Sequence, residues 1–196
     1  MTPQTVIDTA RYVVNDTVST LYRQANTELL AYVNAGIQEA SALRPEWFYS
    51  VTTFSCTAGQ VEQNISPTTA QELVKVISVN GGNIVTPFDM DAMDRFRPGW
   101  RVETAGAAQQ WGRFTNDGLR FFVYPKAPVS QTLDVLVVTV PTTLALTDPI
   151  TEVPTAVEAA LADYVIYRAE SKDDEHVNSG RAAAAYQSFV AKIKEA

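Results

Sequence analysis

Catalysis needs convergent polar side chains, and this sequence offers few. Its one histidine, His176, follows Asp173, Asp174 and Glu175, a context that fits a solvated side chain at a helix start better than a general base. Its one cysteine, Cys56, lies far from His176 in the chain with no motif around it, so no Cys–His nucleophile pair is written here. Asp89, Asp91 and Asp94 are oxygen donors at short spacing, which suits Ca²⁺ or Mg²⁺. They lack the central glycine and terminal glutamate of an EF-hand loop, and on a helix Asp89 falls at the N-cap, so capping is the expected role. The tetrapeptide "NGGN", residues 80 to 83, sits between two strand-like runs and reads as a hairpin turn rather than a phosphate cradle. The remaining candidate is Arg95, Arg97 and Arg101, interleaved with Phe96 and Trp100. It fits either a face that touches DNA or, given Asp94 and Glu103 nearby, a solvated or subunit-contact face. No metal, cofactor or enzyme activity is expected.

The totals agree with a folded globular protein. Of 196 residues, 46% are hydrophobic and 19% charged, the composition of a globular chain long enough to bury a core. Fifteen basic against 22 acidic residues give a net charge of -7, which argues against a protein whose main task is gripping phosphate backbones. A lone cysteine gives no internal disulfide and is consistent with a reducing cytoplasm. The N-terminal stretch is not a signal peptide, and no run of apolar residues predicts a membrane span.

The elements that would position these residues follow from period and punctuation. Val6, Ile7, Ala10, Val13 and Val14 predict a short helix over 4 to 15, followed by a polar loop from 16 to 26. Leu29, Val33, Ile37 and Ala40 form a broad stripe on a second helix, capped by Asn26 or Thr27 and stopped by Pro45. Gly36 lies inside that stripe and marks either close approach of another element or a tolerated glycine. From Trp47 to Val140 the period becomes strand-like, with turns at 80 to 83 and 116 to 118 and one short helix in "DMDAMDRF". Thr155 and Glu158 stand in capping-box relation ahead of a helix in which Val157, Leu161, Tyr164 and Val165 form one face, while Ile166, Tyr167 and alanines occupy others. A helix apolar nearly all round either lies deep in a bundle or is covered by another subunit. Ser171 and the acidic residues after it predict the start of a last helix, with Ala182, Tyr186, Phe189, Val190 and Ile193 on one stripe.

The expected fold class is therefore α+β: a helical bundle from N- and C-terminal helix pairs with a β-rich antiparallel insertion. Residues 1–46 are the N-terminal helices, 47–150 the insertion, and 151–196 the C-terminal helices.

The runs "ELLAYVNAGIQEASALRPEWF", "LRFFVYPKAP" with "LDVLVVTVPTTL", and "VPTAVEAALADYVIYRAESKDDE" before a closing alanine-aromatic helix resemble the head-to-tail adaptor proteins of short-tailed bacteriophages. The resemblance implies a structural virion protein without catalysis. It implies a ring of the chain's own copies, commonly twelve, between the portal protein and the tail or nozzle protein, with DNA passing through the channel. Its helices would form the ring wall and portal contact, which makes Tyr164, Ile166, Tyr167, Arg168, Phe189, Ile193 and Lys194 interface candidates. The stretch ending in Phe189, Ile193 and Lys194 fits equally an intramolecular helix face. The implied location is the virion neck, with assembly in the host cytoplasm and no membrane association. Other readings of the same sequence are a different neck or tail-completion protein, a cytoplasmic protein-interaction module, or a small enzyme with an unrecognised carboxylate site.

Overall fold

A computed structural model describes residues 1–114, 117–172 and 179–196. The chain divides into two compact units, one of residues 1–48 with 141–196, the other of residues 49–140.

The first unit is helical. Helix α1, Pro3–Val13, opens on a reciprocal cap: Thr2 Oγ1 accepts from the Thr5 amide and Thr5 Oγ1 accepts from the Thr2 amide, with Pro3 at the first helical position. Proline is well placed there because the amide it lacks would have no helical partner. Asn15, at φ 60°, turns the chain out of the helix. Helix α2, Asn26–Leu43, has Ala25 at its N-cap and no side-chain cap. The expected cap residue Asn26 instead lies in the first turn, where its Oδ1 accepts from Arg11 at 2.9 Å. Pro45 ends α2 as expected, and Pro45–Phe48 continues as a 3-10 turn. Helix α4, Glu158–Glu170, follows a 3-10 turn at Thr155–Val157, so Val157 occupies the N-cap and the Thr155–Glu158 capping box does not form. Ser171 closes α4, its hydroxyl donating to the Tyr167 carbonyl at 2.7 Å, and does not open the last helix. Helix α5, Ser179–Glu195, completes the unit; the predicted start at Asp173, Asp174, Glu175 and His176 lies outside the described residues.

These helices do not assemble as an N-terminal pair against a C-terminal pair. Helix α4 is the hub and packs against α1, α2 and α5. The expected bundle of pairs is therefore corrected to three helices arranged on one. The extended stretch after Pro141 is tied to the same helices. Asn34 Oδ1 accepts from the Leu144 amide at 2.9 Å, its Nδ2 donates to the Leu144 carbonyl at 3.1 Å, and the Gln4 amide donates to the Leu146 carbonyl at 3.0 Å.

The second unit holds two sheets and a helix, which also departs from a plain antiparallel insertion. One sheet has the order β1-β7-β3, formed by Tyr49–Ser55, Thr132–Thr139 and Ala70–Val79. The other has the order β2-β6-β5-β4, formed by Glu62–Asn64, Arg120–Tyr124, Gln110–Gly112 and Thr86–Pro87, and its β4–β5 pair is parallel. Alternation places Leu133, Val135 and Val137 of β7 and Phe121 and Val123 of β6 in one core, as period 2 requires. Leu73 and Val76 of β3, three residues apart, reach the same core because register shifts interrupt their strand. Helix α3, Met90–Phe96, sits over a smaller cluster of Met90, Trp100 and Tyr124. The "NGGN" segment does make a tight turn: Asn80 and Gly81 adopt positive φ, and Asp134 Oδ2 accepts from the Gly81 amide at 2.7 Å. Asn116 of the second predicted turn lies outside the described residues; its neighbour Asp117 accepts from the Leu119 and Arg120 amides as β6 begins.

Candidate interaction surfaces

Helix α4 carries the first set of candidates, and the chain covers most of them itself. Tyr164, Ile166, Phe189 and Ile193 are all buried, the last two completely. Tyr164 packs edge-on against Phe189 with ring centroids 5.0 Å apart, and against Tyr167 at 5.6 Å. The half-buried Tyr167 extends this to Tyr186 at 4.9 Å, whose hydroxyl donates to Glu39 at 3.0 Å. Gly36 of α2 lies against this layer: a Cβ there would sit 3.0 Å from Tyr164 Cδ1. Close approach is thus the reason for glycine at that position. The all-round apolar character of α4 is accounted for within one chain.

Arg168 and Lys194 remain exposed. Arg168 lies over the Tyr32 ring at 5.5 Å, a cation–π contact that orients it without hiding it. Arg44 Nη1 donates hydrogen bonds to the Ile193 and Lys194 carbonyls at 3.3 and 3.0 Å, a cation on the orphan acceptors at the C-terminus of α5. The tip of α5 is therefore fixed, with the Lys194 side chain outward.

The arginine cluster is mostly neutralised. Arg97 makes a two-pronged pair with Glu103, at 2.7 and 2.9 Å, and lies over the Tyr124 ring. Arg101 pairs with Asp94, which also accepts from Trp100 Nε1 at 2.7 Å. These donors hold both carboxyls below their usual range: for Asp94 the hydrogen bonds from Arg101 and then Trp100, for Glu103 those from Arg97 and then Tyr124. Among the described residues Arg95 alone of the three makes no ion pair, and it is exposed beside the exposed Phe96. One net positive charge is a weak footprint for a phosphate backbone.

Of the remaining chemistry candidates, Asp89 has a structural use. Asp89 Oδ1 accepts from the Ala92 amide at 2.7 Å and caps α3. Among the described residues no group of His, Cys, Asp and Glu is arranged to hold a metal. Burial raises the pKa of the Cys56 thiol, and the Gln131 amide at 3.8 Å only partly offsets it, so the thiolate a nucleophile requires is disfavoured. His176 lies outside the described residues.

Sequence reasoning missed two features near the N-terminus. Arg11 is buried and joins Asp16, the Gln24 carbonyl at 2.7 Å and Asn26, which gives the apparently patternless stretch 16–26 a fixed course. That course leaves Tyr12, Val13, Val18 and Leu21 largely in solvent, Tyr12 at 80% and Leu21 at 76%. Tyr12 lies off the apolar stripe of its helix and Val18 and Leu21 belong to none, whereas Val13, read with that stripe from its spacing, is exposed at the helix end.

Among the described residues no helix is long and apolar enough to cross a membrane. No curated protein matches the chain. The SU10 adaptor protein family, however, matches it over the whole of residues 1–196, so the chain belongs to that family of phage adaptors.

Proposed function

We propose that the chain works as a ring of identical copies, twelve in number, between the portal protein and the tail or nozzle protein of a short-tailed phage, and that the ring lines the channel through which DNA leaves. The observation that carries this reading is the family match, which spans the whole length of the chain. The exposed apolar residues Tyr12, Val13, Val18 and Leu21 and the outward cations Arg168 and Lys194 support it, because closed rings need surfaces that are favourable only once copies meet. Tyr164, Ile166, Phe189 and Ile193, buried within the chain, and the half-buried Tyr167 hold the helical unit together in this reading rather than meeting a neighbour. The charge of -7 on every copy gives the assembly a sign that repels DNA, so that DNA slides without sticking. Arg95, Arg97 and Arg101 then serve subunit contacts rather than DNA binding.

The test is to mix the purified chain with its portal protein, measure the mass of the product and image it by electron microscopy. The expected product is portal capped by one ring of the chain. Separate portal particles beside single copies of the chain, at concentrations well above those of assembly, would overturn the reading.

A further inference from the structure

The three-stranded sheet has two outer strands, and their edges are built differently. The outer side of β3 is partly used, the Leu73 amide donating to the Gly118 carbonyl at 2.7 Å and the Val85 amide to the Ile77 carbonyl at 3.0 Å. Strand β3 is irregular, with register shifts at three places against β7, and carries Glu72 and Lys75. Bulges and charges are the usual devices that keep an edge from pairing. Strand β1 has neither. Its seven residues, YSVTTFS, run in unbroken register with β7 and include no charge and no proline.

The phase of that ladder fixes which backbone groups face outward. The Cys56 amide donates to the Gln131 carbonyl at 2.9 Å, so the bonded positions are Cys56, Phe54, Thr52 and Ser50. Antiparallel pairing alternates, and Tyr49, Val51, Thr53 and Ser55 therefore turn their N–H and C=O groups to the open side. The same four residues are exposed, Tyr49 at 44% and Val51 at 59%. Among the described residues no strand pairs with this side of β1.

Beside this edge the core is incompletely closed. A cavity of about 290 Å³ lies against β1, lined by Thr52, Phe54, Asn64, Ile65, Ser66 and Thr69 among others. Phe54 and Ile65 belong to the sheet unit's apolar core or its margin, and the remaining named lining is hydroxyl or amide. No lining side chain carries a charge. A row of unpaired backbone groups next to a side-chain pocket is the arrangement by which sheets bind extended peptides, the backbone giving affinity and the pocket choosing the side chain.

We infer that the outer edge of β1 and the adjoining cavity form a docking site for an extended, uncharged segment of a partner polypeptide, added as a fourth strand with an apolar side chain seated against Phe54 and Ile65. The lack of charge on both strand and pocket selects an uncharged segment, because a charged side chain seated there would lose its hydration without a counter-ion. A second copy could not add its β3, whose edge is bulged, charged and already bonded within its own chain. Pairing of β1 with the β1 of a second copy is the competing occupant, which the sedimentation measurement below distinguishes. The inference does not depend on ring formation.

The experiment uses the full chain and two labelled, end-blocked heptapeptides, one alternating valine with threonine, the other with glutamate replacing valine. Binding is read by fluorescence polarisation and amide hydrogen exchange. The uncharged probe is expected to bind, to slow exchange at Val51 and Thr53, and to outcompete the glutamate probe. Thr53→Pro removes an outward N–H while sparing the β7 ladder, as edge strands tolerate, and should weaken binding by about tenfold. Val51→Lys, which changes only an exposed side chain, is expected to weaken it similarly and serves if the proline variant does not fold. No binding of the uncharged probe, no protection at Val51 and Thr53, or equal binding by folded variants overturns the site. A dimer in sedimentation that Val51→Lys disperses overturns the choice of occupant in favour of a second copy.

Discussion

Replacing Phe189 with alanine separates a helix face that docks on a partner from one that holds a single chain together. Phe189 is completely buried, its ring edge-on to Tyr164 at 5.0 Å and tilted against Tyr186 at 6.2 Å. Truncating a fully buried phenylalanine costs about 3–5 kcal/mol, as lost transfer energy plus the cavity left behind. The unit that bears this loss is roughly 100 residues, for which each kcal/mol moves the melting temperature by about 4–8 °C. Even the smaller slope with the smaller loss gives a fall of about 12 °C. The measurement is thermal unfolding followed by circular dichroism at 222 nm, with Lys194→Glu as a control that alters only an exposed side chain. Lys194→Glu should melt with the unaltered chain. A Phe189→Ala protein melting within about 4 °C of the unaltered chain, yet unable to join portal, would refute the assignment of Phe189 to the core and return it to the interface.

Gly36→Ala sets two effects against each other: alanine gains about 1 kcal/mol in helix propensity, but its Cβ would meet Tyr164 Cδ1 at 3.0 Å and Cγ at 3.3 Å. That ring is held by Tyr167 and Phe189 and cannot retreat, so overpacking wins and urea unfolding should show a net loss of about 1 kcal/mol. Tyr32 has its pKa pushed up to about 12, first by burial and then by its hydrogen bond to Glu28. Because the folded value lies above the ordinary 10, its contribution to stability is complete below pH 10 and is lost as pH rises toward 12. Absorbance titration near 295 nm should show a late phenol that Tyr32→Phe removes. Arg11→Ala leaves Asp16 without its buried partner and should cost about 3 kcal/mol in denaturant unfolding, with increased proteolysis between residues 14 and 26.

What the sequence revealed was local, and what it hid was long-range. Period 2 in β7, the turn at Asn80 and Gly81 and the stop at Pro45 all depend on a few adjacent residues, and each is found. Register shifts break the period of β3, and the sequence left Gly36 open between close approach and a tolerated glycine, which only its distant neighbour Tyr164 decides. Helix starts were less legible. A 3-10 turn at Thr155–Val157 leaves Val157 rather than Thr155 at the cap of α4, and Asn26 is drawn inside α2, where Arg11 uses its side chain. Strand partners were not legible at all, because β1 pairs with β7, nearly the whole sheet unit later in sequence, while the turns mark only neighbours. The parallel β4–β5 pair is two residues long and leaves no periodic trace.

The same limit governs what α4 says about assembly. A helix with apolar residues on several sides reports how many neighbours it has, not which polypeptide supplies them. Here α1, α2 and α5 supply them, so its greasiness carries no information about a ring. Assembly has to be sought where apolar side chains remain uncovered after the chain has finished folding. In the helical unit that is the turn holding Tyr12, Val13, Val18 and Leu21. Their position is set by polar groups: buried Arg11 draws Asp16, Gln24 and Asn26 inward, and the apolar residues between them are turned out as a consequence. A contact surface presented by a buried arginine should therefore fail in two distinguishable ways. Arg11→Ala should lose both stability and assembly. Tyr12→Ser with Leu21→Ser should leave thermal unfolding unchanged and remove assembly alone, and if that double variant assembles normally on portal, this turn is not the contact.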